Sequence, residues 1–291
     1  ALMSKENIVS RVRLFEEEIT YKAFDQSASL VKFSDQSSAL ILNGYKSLSF
    51  GPYSKSEMHE VIVGATPVLF SRSTNEALVF GLGSGITGGA TARFYDRTKI
   101  VEINPAILNM PQHFTAENQN VMTRGNVEVA LEDGISTLLT ENKTYDAIVN
   151  TVTSPQYYSA AKLYTNDFYD IVKTRLADGG VYSSWFDVNI DQNGIAIMLN
   201  TLEESFEHCR YFLLTRAYYN VVCGQSPLIY RPSRQIQQDV KGTGVDELFA
   251  RYRFDAGFLK TMDALEVDLS PRFLARETHD LNTLDHPTIE F

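Results

Sequence analysis

Residues 76–90, EALVFGLGSGITGGA, run from an apolar stretch into closely spaced glycines and then into a helical pattern. The layout reads as a strand, a tight turn and a helix start. Backbone N–H groups left open at such a turn, beside the positive end of a helix, can hold an anionic or hydroxyl-rich nucleotide group. Gly81, Gly83, Ser84 and Gly85 make the turn. Gly83, Gly85 and Gly88 satisfy GxGxxG, and Glu102 lies nineteen residues beyond Gly83, the place of an acid that accepts ribose hydroxyls. These features fit NAD and S-adenosylmethionine equally. The next strand pattern, NVEVALED, ends in Asp133 and Gly134, which brings a second carboxylate within reach of an exocyclic adenine amine. One acid for ribose and one for adenine favour an adenosylmethionine-type nucleoside over a dinucleotide. Each residue also has an ordinary structural use: the glycines close a helix onto a strand, Glu102 ends a strand, and Asp133 caps a helix. The cap and adenine recognition are compatible.

Composition narrows the partners. A formal charge of −10 argues against nucleic acid, which calls for a basic surface, and suits a small cationic substrate. The five histidines, at 59, 113, 208, 279 and 286, form no HxH or HxxxH pair, so the sequence offers no metal site. No window approaches the ~18 consecutive apolar residues of a membrane span, and the first residues are too polar for a signal peptide. A soluble, cytoplasmic chain is expected, with the soluble part of a membrane-associated protein, fused to or associated with a membrane segment, as the alternative. Cys209 and Cys223 are the two cysteines among 291 residues, a usage that suggests a reducing compartment and no disulfide framework, with a single pair left open by the spacing.

The elements that must carry these residues follow from periodicity. Residues 7–23 fit either a short helix or an edge strand. Alternating stretches through residue 50 read as antiparallel strands with hairpin turns. A helix is expected within GPYSKSEMHEVIVGATPVLF, with Met58, Val61, Ile62 and Ala65 on one face. From residue 76 the pattern alternates strand and helix, which implies a parallel sheet. The strands are ALVFGLG, RTKIVEIN, NVEVALED, YDAIVNTV and GGVYSSWF, and the helices span about 87–95, 105–118, 133–140 and 164–177. A further helix, IAIMLNTLEESF, precedes an antiparallel edge pair, and residues 231–291 read as mostly helical with an extended end. This gives an α/β protein with three units: a β-rich domain over 1–55, a nucleoside-binding domain over 56–230 and an extension over 231–291.

Several motifs, in order, resemble the polyamine aminopropyltransferases, or spermidine synthases, and most closely their bacterial relatives fused to membrane segments. LNG at 42–44 and MHE at 58–60 resemble the family's LDG and YHEM. GLGSGITGG resembles its GGGDGG turn, VEIN at 101–104 its VEID, and LEDG at 131–134 its adenine-binding ED. YDAIVNTVTSP and AAKLYTNDFYDIVKTRLADGGV are similar to the family's YDVI and LYTxxFY segments, and LNTLDHPTIEF to the NTDDxPxxEF ending of the fused relatives. The resemblance implies a Rossmann-like, S-adenosylmethionine-dependent methyltransferase fold, with a mixed, mainly parallel sheet and a small N-terminal antiparallel β-domain. It implies decarboxylated S-adenosylmethionine, S-adenosylmethionine or methylthioadenosine as ligand, a polyamine as acceptor, and a homodimer. By the motif match, Ile103 and Thr151 join the nucleoside site.

The sequence departs from the family where an amine would be activated. The acid of the glycine turn is Ser84, the tyrosine of YHEM is Met58, and the family's DSSD acids fall on Thr151 and Ser154. A protonated amine has no lone pair to attack with, and an unassisted hydroxyl is no base. Tyr157, through its ring face, and Asp187, through its charge, are the candidates to replace the lost acids, with Ser154 and His59 beside them. Aminopropyl transfer to a small amine is the expected activity. Methyl transfer and non-catalytic binding of a nucleoside or polyamine are the alternatives, and an NAD-dependent oxidoreductase rests on GxGxxG and Glu102 alone.

Overall fold

The computed structural model describes residues 20–23, 28–32, 38–42, 45–50, 56–152, 155, 160–187, 192–215, 218–239, 243–251, 262–269 and 280–289. Strands form where apolar residues run unbroken and both faces are covered. In β5 (Glu76–Phe80) and β8 (Tyr145–Asn150) nearly every residue is buried. With β6 (Arg97–Glu102), β7 (Val127–Leu131) and β9 (Leu176–Asp187) they make a parallel set in the order β9-β8-β5-β6-β7. Antiparallel β10 (His208–Leu213), β11 (Tyr218–Gly224) and β12 (Glu266–Val267) extend the β9 edge, completing an eight-stranded sheet.

Alternation along the strands divides the core into two layers. Ala77 and Val79 face one layer together with α1 (Ser56–Ala65) and α2 (Ile86–Thr91); Leu78 and Ile148 face the other with α3 (Gly134–Thr140), α4 (Asn166–Arg175) and α5 (Gln192–Ser205). A second, four-stranded antiparallel sheet is built from β1 (Thr20–Ala23), β2 (Ala28–Lys32), β3 (Ser38–Leu42) and β4 (Tyr45–Phe50) in sequential order. Its Leu30, Leu40 and Leu48 join the first layer alongside Val61 and Ile62 of α1. The expected α/β fold with an N-terminal antiparallel sheet is therefore present, and residues 20–23 resolve to an edge strand.

Other expectations need correction. The stretch 105–118 is not one helix but separate 3-10 turns, Pro105–Asn109 and Pro111–His113. A proline lacks the N–H that an α-helix interior would use, and both prolines sit where a helical segment starts. The helix after the glycine turn ends at Thr91 rather than near 95. The helix before β9 stops at Arg175, so the glycines at 179 and 180 lie inside the strand. Beyond residue 230 the described residues hold the helices α6 (Ser233–Asp239) and α7 (Val245–Arg251) and a 3-10 turn, Met262–Leu265, while residues 240–242, 252–261, 270–279 and 290–291 of the stretch read as mostly helical lie outside the described residues. The cysteines take the alternative that their spacing left open. Cys209 and Cys223 face each other across β10 and β11 and form a disulfide, which removes the cysteine-based argument for a reducing compartment. Among the described residues no helix is long and apolar enough to cross a membrane.

Candidate active site

The chain leaves β5 for β6 and β7 on one side, then returns to β8 on the other. Strand order reverses between β5 and β8, and in open α/β sheets ligands bind beyond the carboxyl ends of strands at such a point. A cavity of about 270 Å³ opens there. Gly81, Gly83, Ser84, Glu102, Ile103, Asp133, Gly134 and Thr151 all line it, so eight of the nine residues expected for the nucleoside converge. Gly85 does not line it; its positive φ of 82° turns the chain into α2, and a β-carbon there would meet Val121 at 2.6 Å. Leu40, Leu42 and Ser47 of the N-terminal sheet contribute to the cavity wall.

Glu102 is the fastening of the turn. Its Oε2 accepts from the Leu82 N–H at 2.9 Å and its Oε1 from the Asn104 N–H at 2.8 Å. One carboxylate thus holds the glycine turn against the end of β6, and its remaining lone pairs are available to hydroxyl donors. The neighbouring Ile103 is 64% exposed, a bare apolar surface at the cavity beside an acid.

Asp133 has both of its expected roles open to it only in part. Oδ1 caps α3 by accepting from the Ser136 N–H at 2.9 Å, and Oδ2 pairs with the Lys162 ammonium at 3.0 Å. Burial works to raise its pKa, but the Ser136 hydrogen bond and Lys162 outweigh it and hold the carboxyl below its ordinary value. Glu132 beside it is held low by hydrogen bonds from Lys99, at 2.8 Å, and from Thr137. At Gly134 a β-carbon would strike the Phe80 ring at 2.1 Å, so glycine there lets α3 approach the end of β5.

On the β8 side, the Thr151 hydroxyl donates to the carbonyls of Phe80, at 2.7 Å, and Gly81, at 3.3 Å. The Thr151 carbonyl accepts from Trp185 Nε1 at 2.9 Å. These bonds tie the ends of β5, β8 and β9 together. Ser84 Oγ is buried and accepts from the Ile86 N–H at 3.3 Å, while the Ser84 carbonyl accepts from Asn118 Nδ2 at 2.9 Å.

The residues expected to activate an amine are placed differently. Neither His59 nor Asp187 lines the cavity. Both neighbour Tyr218: the His59 ring centroid is 6.4 Å from that of Tyr218, and Asp187 stands opposite it in the backbone register of β9 and β11. The Tyr218 ring in turn lies 5.4 Å from Trp185, which does line the cavity. Ser154 and Tyr157 lie outside the described residues. Other side chains complete the wall, among them Glu60, Trp185 and Lys162. Glu60 belongs to the MHE motif, which by the family resemblance faces this crevice. Trp185, the one tryptophan, and Lys162, inside the family-like AAKLYT stretch, carry no local spacing that marks them.

Comparison with known proteins agrees with this geometry. The spermine/spermidine synthase domain matches residues 56–225. A polyamine aminopropyltransferase of Oceanobacillus iheyensis is 30% identical over 147 residues, covering 48% of this chain and 28% of that protein. Polyamine aminopropyltransferase 2 of Hyperthermus butylicus is 27% identical over 172 residues, covering 57% and 56%. The match thus spans little more than half the length of the latter relative and under a third of the former. Among solved structures, a spermidine synthase in complex with the transition-state analogue AdoDATO aligns with a TM-score of 0.66 at 12% identity, over 89% of this chain and 88% of that one. The Thermotoga maritima spermidine synthase aligns at 0.60 and 13%, over 77% and 87%. These structures share the fold, and with the domain match covering more than half of its residues, the chain belongs to the spermine/spermidine synthase family.

Proposed function

We propose that the chain is a transferase that binds an S-adenosyl nucleoside in this cavity and moves an aminopropyl group from its decarboxylated form to a small amine, releasing methylthioadenosine. The observation that carries the reading is Glu102, lashed between the glycine turn and the end of β6 with the bare Ile103 beside it. In this reading Glu102 accepts ribose hydroxyls and Ile103 covers one face of adenine. The sulfur then sits near the Gly81 and Thr151 crossing, and the amine enters from the Trp185 side, where His59 and Asp187 meet Tyr218. Holding the amine in line with the sulfonium supplies most of the acceleration, because positioning replaces a bimolecular encounter.

The test is product analysis with decarboxylated S-adenosylmethionine or S-adenosylmethionine as donor and putrescine, cadaverine or spermidine as acceptor. Methylthioadenosine released only with the decarboxylated donor and an amine supports the proposal. S-adenosylhomocysteine from the parent donor would replace it with methyl transfer. A second reading, a binding domain without turnover, is favoured by the Thr151 hydroxyl, which is occupied by two backbone carbonyls and offers no base. Nucleoside binding with no product from any donor and amine would decide for it.

A further inference from the structure

Four carboxylates line the cavity: Glu60, Glu102, Glu132 and Asp133. Three are committed. Glu102 holds two backbone N–H groups, Glu132 pairs with Lys99, and Asp133 pairs with Lys162 while capping α3. Glu60 differs. Among the described residues it makes no ion pair, and its hydrogen-bond partner is Thr87, whose hydroxyl donates to Oε2 at 2.9 Å.

The cavity wall it shares carries Glu102, Glu132, Asp133 and Lys162, the last paired with Asp133. On its own helix, Glu57 is turned to Arg251 at 3.7 Å and His59 to Tyr218. From α2 it meets Thr87, and the N-terminal sheet brings Leu40, Leu42 and Ser47 to the same cavity. Burial pushes its carboxyl up to about 7, against the opposing hydrogen bonds of Thr87. A half-buried carboxyl with no cation paired to it holds its proton more tightly than a free one, and an arriving cation favours its release. The glycine turn, where an acid would meet a cationic tail, carries Ser84, three residues before Thr87.

We propose that Glu60 is the carboxylate that receives the cationic end of the ligand, the alkylammonium at the end of the side chain on the adenosyl sulfonium. This rests on the nucleoside-binding reading above. When the ammonium enters, Glu60 ionises and its proton leaves to solvent, so the ligand's charge is matched at the moment it is buried. Methylthioadenosine, which lacks the ammonium, leaves Glu60 as it is.

The experiment is calorimetry on the whole chain at pH 7, with methylthioadenosine and with decarboxylated S-adenosylmethionine, each in phosphate and in Tris. The two buffers differ in ionisation enthalpy and so report protons released. The unsubstituted chain is expected to prefer the decarboxylated donor and to release protons with it alone. Glu60→Gln, which still accepts from Thr87, is expected to bind methylthioadenosine within about twofold of the original. It should lose roughly tenfold to a hundredfold of affinity for the decarboxylated donor, the worth of one charge-assisted hydrogen bond, and its proton release. Methylthioadenosine binding reports that the variant is folded. Glu60→Asp, which keeps the charge but shortens the reach, is expected to fall between the two. If both ligands bind and their affinity ratio is the same in Glu60→Gln as in the original, the role of Glu60 is refuted while the nucleoside reading stands. If neither binds the unsubstituted chain, the nucleoside reading fails and takes this proposal with it.

Discussion

Shortening or neutralising Glu102 separates what its charge does from what its reach does. The side chain is 8% exposed, and Leu82, whose N–H it accepts, is 5% exposed. Alanine at this position strips the acceptor from that N–H and from the Asn104 N–H. A buried donor left without a partner costs about 1–3 kcal/mol. Glu102→Ala should therefore lose roughly 2–6 kcal/mol, or at least about 4 °C in Tm for a chain of this size. Glu102→Gln can accept from one of the two groups but turns an NH₂ toward the other, so about 1–3 kcal/mol is expected. Glu102→Asp retains the charge and withdraws it by one carbon–carbon bond, about 1.5 Å, too far to span both amides at hydrogen-bond distance. Its loss should lie nearer to alanine than to glutamine. Urea unfolding gives the stability differences, and titration with methylthioadenosine gives the binding, which should fall in all three. An aspartate variant as stable as the original would show that charge rather than reach holds the turn. An alanine variant melting within about 1 °C of the original would refute the fastening altogether.

Two further predictions concern the frame around the site. A β-carbon at Gly89 would stand 2.1 Å from the Asn118 carbonyl oxygen, a backbone atom that cannot swing aside; Gly89→Ala should lose about 1–3 kcal/mol, whereas Gly125→Ala, with nothing within 4 Å, should stay within about 0.5 kcal/mol, both read from urea midpoints. The Cys209–Cys223 bridge closes a span of 14 residues, so replacing both cysteines with serine should cost about 3 kcal/mol; alkylation of both thiols in denaturant without reductant would show that the bridge is not formed.

The parallel strands were legible because their cause is local. A strand covered on both faces is a continuous apolar run, and EALVF and YDAIVN are such runs, bounded by a polar residue or glycine. The stretch 105–118 misled because Ile107, Met110 and Phe114 recur at helical spacing and are buried as a helix face would be, while the backbone is set by the prolines at 105 and 111. Burial periodicity and backbone permission disagreed, and the missing N–H decided. The disulfide was illegible for a different reason. Residues 209 and 223 meet only once β10 and β11 adopt their register, and register is a property of the sheet rather than of either segment. Asn282 belongs to the same class. Its amide nitrogen donates to the carbonyls of Ala161, at 3.3 Å, and Tyr164, at 3.0 Å, so the distant NTLDHP segment braces the turn that carries Lys162.

The same division runs through the site. The glycines and strand-end acids of the cavity each come from one short stretch, so Glu102 and Asp133 could be named from spacing and Ile103 from the family motif. The opposite wall of the cavity, toward Trp185, brings together α1, β9 and the turn at 161–164, and nothing in any one of these segments announces the others. Reading the family motif position by position located the missing acids at Ser84 and Thr151, and the structure explains what those hydroxyls do instead. Thr151 ties β5 to β8 and Ser84 finishes the turn, so neither position is left over as a weakened base. If the ligand is cationic, as proposed, its charge is matched elsewhere on the wall. Of the four lining carboxylates, Asp133 and Glu132 already answer lysines and Glu102 answers amides, which leaves α1 as the element on which the balance of charge in this cavity turns.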